Sequence, residues 1–160
     1  MQTTEIVVLK RGADRIRRGH LWVYRSDVVN PKDAAPGAIV AVRDERVGPV
    51  GPVGPVGPIG PVGPILGKAF FSSKSQISLR FLSRVDVPIA EPFFRERFAA
   101  ADRLRERLGV DPLLSRRIYS EGDLLPGLIV DRYGDRLVVQ SLIQATDRLQ
   151  PLVTSILMER

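Results

Sequence analysis

Hydrophobic and polar positions change their rhythm halfway along this 160-residue chain. The first half reads as short strands. "EIVVL" (5–9), "HLWVYRSD" (20–27), "AIVAVRD" (38–44), "ILGKAFF" (65–71) and "SQISLRFLSR" (75–84) are rich in β-branched and aromatic residues and are separated by Gly, Pro, Asn and Asp. In the last of these, Ile77, Leu79, Phe81 and Ser83 alternate with Ser78, Arg80, Leu82 and Arg84. Between the first two strands the pattern predicts one helical turn, Ile16 to Arg18, capped by Asp14 and stopped by Gly19. Residues 85–92 form a connector.

The second half opens with a helix. In "EPFFRERFAAADRLRERLG", Phe94, Phe98, Ala101, Leu104 and Leu108 recur at steps of 4, 3, 3 and 4, which is one apolar face. Pro92 suits the first helical position and Gly109 the stop. Residues 116–143 then read as strands and turns. "GLIV" is a strand, "DRYGD" is a turn with Gly134 at positive φ, and "RLVVQSL" is the return strand. Asp131 and Asp135 are expected to be turn-formers. A final helix is expected to begin within 144–160, with Pro151 in its first turn and Leu152, Val153, Ile156 and Leu157 on one side. The fold class is α+β: a barrel-like β domain, then a small strand-helix-strand domain.

One segment fits neither rhythm. "VGPVGPVGPVGPIGPVGP", Val47 to Pro64, is six triplets, and it holds six of the 14 Gly and six of the 13 Pro. Every third residue lacks an N–H, so the run can join neither a ladder nor a helix interior. Six triplets are short for a collagen triple helix. The run reads as an exposed loop, about 50 Å long if fully extended, in a hairpin between 38–44 and 65–71. Lengthening such a loop is entropically mild. A polyproline-type arm that docks on a protein partner is the competing reading.

Charge sharpens the division. Residues 1–84 carry 13 Lys and Arg against 6 Asp and Glu, whereas residues 85–160 carry 11 against 12. The excess that makes the chain +6 lies in the first half, which suggests a polyanionic partner there. Arg15, Arg17, Arg18 and His20 crowd one turn and are candidates for RNA phosphates. Lys74, Arg80 and Arg84 extend that surface, and Trp22 is a candidate to stack on a base. The competing readings are a solvated charged turn, a loop-bonding histidine and a core tryptophan.

The chain has no Cys and one His, which excludes a disulfide framework, a thiolate nucleophile and a multi-histidine metal site within it. No apolar stretch approaches the length of a membrane span. The amino terminus is a poor signal peptide. A cytoplasmic protein is expected, with no membrane or metal partner.

The segments "VLKRGADRIRRGHLWVYRSDV", "SSKSQISLRFLSR" and "EGDLLPGLIVDRYGDRLVVQ" resemble the amino-terminal half of bacterial class I S-adenosylmethionine-dependent methyltransferases that modify large-subunit ribosomal RNA at cytosine C5. The resemblance implies a PUA-like RNA-binding pseudo-barrel over 1–84, with the triplet loop at 47–64 inserted in a hairpin. It implies a middle α+β domain over 85–143, and a helix over 144–160 leading toward a Rossmann-like domain that this chain lacks. Ribosomal RNA is then the implied partner. Leu21 stands where the family commonly has Pro, and Leu124 where it usually has Gly, which costs freedom at a turn. Glu121 and Asp123 fall in the most distinctive segment, without an assigned chemistry.

Cytosine C5 methylation normally uses a thiolate that adds at C6, and an S-adenosylmethionine pocket uses a Gly-rich strand-to-helix turn. Neither is expected here, so the chain alone is expected to bind no cofactor and not to be catalytic. A stand-alone PUA-like RNA-binding protein, and a structural or adaptor protein using the triplet arm, are the alternative functions.

Overall fold

The computed structural model describes residues 4–29, 31, 34–46 and 63–159. The chain divides into two compact units, Met1–Val87 and Pro88–Arg160. Together they make a mixed α+β protein. The expected loop at 47–64 lies outside the described residues except for Gly63 and Pro64.

In the first unit, β1 (Glu5–Val8), β2 (Trp22–Tyr24), β3 (Ile39–Asp44), β4 (Ile65–Phe71) and β5 (Ile77–Ser83) form one sheet in the order β1-β3-β4-β5-β2. Only β1 and β3 run parallel. The sheet curls, and the chain after β2 returns to β1 through a bridge between Val8 and Val28. The inside of the curl holds Ile6, Val8, Ile16, Val23, Val40, Val42, Phe71, Leu79 and Phe81. The ends of β3 and β4 that lead to the triplet run are pinned, because Pro64 O accepts a hydrogen bond from Asp44 N at 3.2 Å.

Two local expectations fail here for physical reasons. Helix α1 spans Lys10–Arg17, not one turn, and its N-cap is Leu9, which provides no side-chain cap. Asp14 is therefore inside the helix. Gly12 lies buried within the helix, where a Cβ would meet Asp27 Cβ at 3.1 Å. Gly19, at φ +106°, ends the helix as expected. The strand expected at 20–27 is only three residues long. A 3-10 turn at Arg25–Asp27 follows it and swings Asp27 inward to complete burial.

The second unit begins with α2 (Glu91–Arg107), which has Pro92 in its first turn. Strands β6 (Leu114–Tyr119), β7 (Leu128–Tyr133) and β8 (Arg136–Ser141) form an antiparallel sheet in that order. Helices α3 (Gln144–Arg148) and α4 (Gln150–Met158) follow, so the expected final helix is two short ones. The buried face of α2 is Phe94, Phe98, Ala101 and Arg105. Leu108, expected on that face, is exposed. Arg105 takes the core position because a carboxylate waits there: Asp123 receives its guanidinium, with Nη2 at 2.6 Å from Oδ2, and Arg105 Nε donates to Arg116 O at 3.1 Å.

Asp131 is a second correction. It lies within β7, buried beneath Arg116, which donates to it from Nε at 2.8 Å and Nη2 at 3.1 Å. The hairpin turn is only Gly134 and Asp135, with Gly134 at φ +63°. Leu124 adopts the left-handed conformation, φ 56° and ψ 32°. Its position therefore suits glycine.

Candidate nucleic-acid interface

Strand β2 is an edge of the curled sheet, and its three residues alternate. Val23 points into the core, which sends Trp22 and Tyr24 to the opposite side, 39% and 41% exposed. Each ring lies beneath a guanidinium. Arg80 is the cross-strand partner of Trp22, and its Cζ is 5.6 Å from the ring centre. Arg15 reaches from the last turn of α1, with Cζ 5.5 Å from the centre of the Tyr24 ring. An arginine over an aromatic face is attracted by the ring quadrupole and held in a fixed plane. The sequence alternation fixes this layout: a core Val23 requires Trp22 and Tyr24 to share the outer face.

The surrounding cations are positioned by the backbone and by buried carboxylates. Arg15 Nη1 donates to Asp27 Oδ2 at 2.9 Å, and Arg11 pairs with the other oxygen of the same carboxylate. Arg84 donates to Gly19 O, which draws the end of β5 to the turn that carries Arg18 and His20. Arg18 and His20 are exposed. Lys74 is exposed in the loop between β4 and β5. That loop is tied to the strand by Arg25, whose Nη2 donates to Ser73 O at 2.5 Å and Ser75 O at 3.2 Å.

Of the expected residues, Arg15, Trp22 and Arg80 thus meet along one edge, with Arg84, Arg18 and His20 around Gly19. Arg17 turns elsewhere. Its Nη2 is 2.6 Å from Asp44 Oδ2, at the root of the triplet run. Arg46 closes on the same carboxylate, with Nη2 at 2.8 Å, and also reaches Asp14 at 2.7 Å. Burial alone would raise the Asp44 pKa, but hydrogen bonds from the Arg46 side chain and backbone and from Arg17 lower it to about 2. Tyr24 and Arg25 were not among the expected site residues. The period-2 pattern puts Tyr24 on the same face as Trp22, whichever face that is, whereas nothing local announces that Arg25 clamps a loop fifty residues away.

Among the described residues no group of three or more His, Asp or Glu is arranged to hold a metal ion. No helix among them is long and apolar enough to cross a membrane.

Residues 6–52 match the PUA-like domain family, a range that includes α1, β2 and the edge with Trp22 and Tyr24. The chain is 32% identical over 144 residues to ribosomal RNA large subunit methyltransferase I of Erwinia tasmaniensis, covering 88% of this chain and 32% of that protein. It is 32% identical over 162 residues to the Vibrio cholerae protein of the same name, covering 96% of this chain and 36% of the relative. The chain therefore spans about a third of the length of these curated relatives. Among solved structures, the candidate methyltransferase SMU.776 complexed with SAH aligns with a TM-score of 0.76 at 15% identity, over 98% of this chain and 37% of that one. At that identity the likeness concerns the fold. The chain carries a PUA-like domain and is homologous, over about a third of their length, to ribosomal RNA large subunit methyltransferase I proteins.

Proposed function

We propose that this chain is the RNA-binding portion of a methyltransferase system acting on cytosine C5 of large-subunit ribosomal RNA. The observation that carries the reading is the edge of β2, where two exposed rings each lie under a guanidinium within the PUA-like region. An unpaired base has two apolar faces, and a ring of this kind can cover one of them. Arg18, Arg80, Arg84 and Lys74 of the same unit supply the positive charge for phosphates, which carry charge but no base identity. Arg15 holds Tyr24 in place and is itself held by Asp27.

Methyl transfer belongs to the proposal at the level of the system. S-adenosylmethionine would supply the methyl group, and the thiolate needed at C6 must come from outside this chain, which has no cysteine. The contribution of this chain's own residues is to hold the RNA.

A salt titration of binding to a single-stranded fragment of large-subunit ribosomal RNA tests the reading. Contact with three to five phosphates gives a slope of roughly −2 to −4 in log K against log salt. Replacing both Arg18 and Arg80 with Ala flattens that slope by about one unit. Trp22→Ala leaves the slope nearly unchanged and weakens binding about five-fold or more. Parent-like affinity in Trp22→Ala, together with a parent-like slope in the arginine double variant, overturns the reading.

A further inference from the structure

The sheet of the second unit has two faces, and the register separates them. Val130 and Ile118 are paired and buried on one side with α2. The other side carries Tyr119 opposite Ile129, Arg116 opposite Asp131 and Val138, and Tyr133 opposite Arg136. This face is open: Tyr119 and Tyr133 are each 57% exposed and Val138 is 46% exposed. Two tyrosines and a valine standing together on one solvated sheet face form an exposed apolar patch of the kind that marks an interaction site.

We propose that this open face, with Tyr119 and Tyr133 flanking Arg116, is a second RNA-contact surface that stacks unpaired ribonucleotides. Arg116 is the centre of the arrangement. Its Cζ is 5.5 Å from the centre of the Tyr119 ring, and its two bonds to Asp131 fix the plane of the guanidinium. The Asp131 carboxylate raises the Arg116 pKa, with smaller contributions from Tyr119 and Tyr133. Tyr133 stands four residues along β7 from the position opposite Tyr119, about 13 Å at strand spacing. That separation holds two or three nucleotides of an extended strand, with Arg116 and Val138 between the rings.

Charge selects the occupant. Asp131 is the one carboxylate between the tyrosines, and it is buried and already neutralised by Arg116. What faces outward is two rings, an aliphatic patch and the guanidiniums of Arg116 and Arg136. Among the described residues the face presents no exposed carboxylate between the rings apart from Asp135 at the hairpin tip. It provides sequence-tolerant stacking, as surfaces that hold single-stranded nucleic acid do. A duplex, with its bases paired inside, has nothing to stack on it. The site is separate from the Trp22 edge and lies outside the residues that match the PUA-like family.

The test uses the full chain and a 12-nucleotide single-stranded RNA carrying 4-thiouridine, with photocrosslinking mapped by mass spectrometry and affinity read by anisotropy. Crosslinks to Tyr119 or Tyr133 are expected. Replacing both tyrosines with Ala should weaken binding about ten-fold or more, and replacing both with Phe, which keeps the rings, should restore it. A blunt duplex of the same sequence should show no difference among the three proteins. The Trp22→Ala variant separates the two readings, since it fails or holds independently of the tyrosine pair. Parent-like affinity in the double alanine variant, with no crosslink to β6 or β7, overturns the proposal. So does concentration-dependent self-association of the parent that the alanine variant abolishes, because the face would then belong to a second copy of the chain.

Discussion

In the first unit buried aspartates are ringed by arginines that stay half in solvent; in the second an arginine and an aspartate are buried together. Asp27 is 1% exposed at its side chain, yet its partners Arg11 and Arg15 are 58% and 42% exposed. Asp44 likewise has both Arg17 and Arg46. Each carboxylate has more than one guanidinium, and each guanidinium keeps a face toward water. In the second unit the side chains of Arg105 and Asp123 are 10% and 3% exposed, and the two pair with each other. The basic half can therefore use the same arginines to neutralise its interior and to meet a polyanion. Arg105 is committed to the interior, whereas Arg116 stays 43% exposed above Asp131 on the open sheet face.

The largest expected effect comes from breaking the buried pair. Arg105→Met leaves Asp123 buried with no counter-charge, which costs about 3–5 kcal/mol. It also removes the donor to Arg116 O. Urea denaturation should show this loss in the transition of the second unit and leave that of the first in place. A cost below 1 kcal/mol would mean that the pair is solvated and the contrast between the units is false.

Acid tests the other side of the contrast. Asp44 has a folded pKa of about 2, below its ordinary value of 3.8. A depressed carboxylate contributes its stability above the unfolded pKa and loses it as pH falls through the folded one. Between about pH 4 and pH 2 this residue should therefore forfeit about 2 kcal/mol. Asp44→Asn should be less stable than the parent at pH 7, and the two stability curves should converge by pH 2. Parallel curves across that window would remove Asp44 from the account of acid sensitivity.

The sequence shows one of these arrangements better than the other. Alternation in β2 and β5 exposes Trp22 and Arg80 to view, because a period of two leaves a short strand only one choice once its core residue is known. The apolar repeat of α2 is equally plain through Phe94, Phe98 and Ala101. It fails at Leu108 because no helical period announces that Arg105 has a carboxylate eighteen residues away. Asp131 reads as a turn residue for the same reason: its partner, Arg116, is reached only through cross-strand pairing. Asp14 reads as a cap because Asp is a favoured N-cap residue, whereas the actual N-cap, Leu9, provides no side-chain cap. Local patterns reach along a face, and ion pairs across elements lie beyond them.

The smallest effect concerns backbone strain beside the buried pair. Leu124 holds a left-handed conformation immediately after Asp123. For a residue with a Cβ this costs about 1–2 kcal/mol, and it persists only where the surroundings dictate it. Here Asp123 provides that constraint, since it takes Arg105 through both oxygens and accepts from Tyr119 N at 2.5 Å. Leu124→Gly releases the strain but adds freedom to the unfolded chain, which returns about 0.5–1 kcal/mol. The net gain should be about 0.5–1 kcal/mol by equilibrium urea denaturation. Leu124→Ala is the control, because alanine keeps the Cβ and so the strain, and it should show no gain. If glycine and alanine destabilise equally, the leucine side chain is holding this turn, and the backbone is not strained enough to matter.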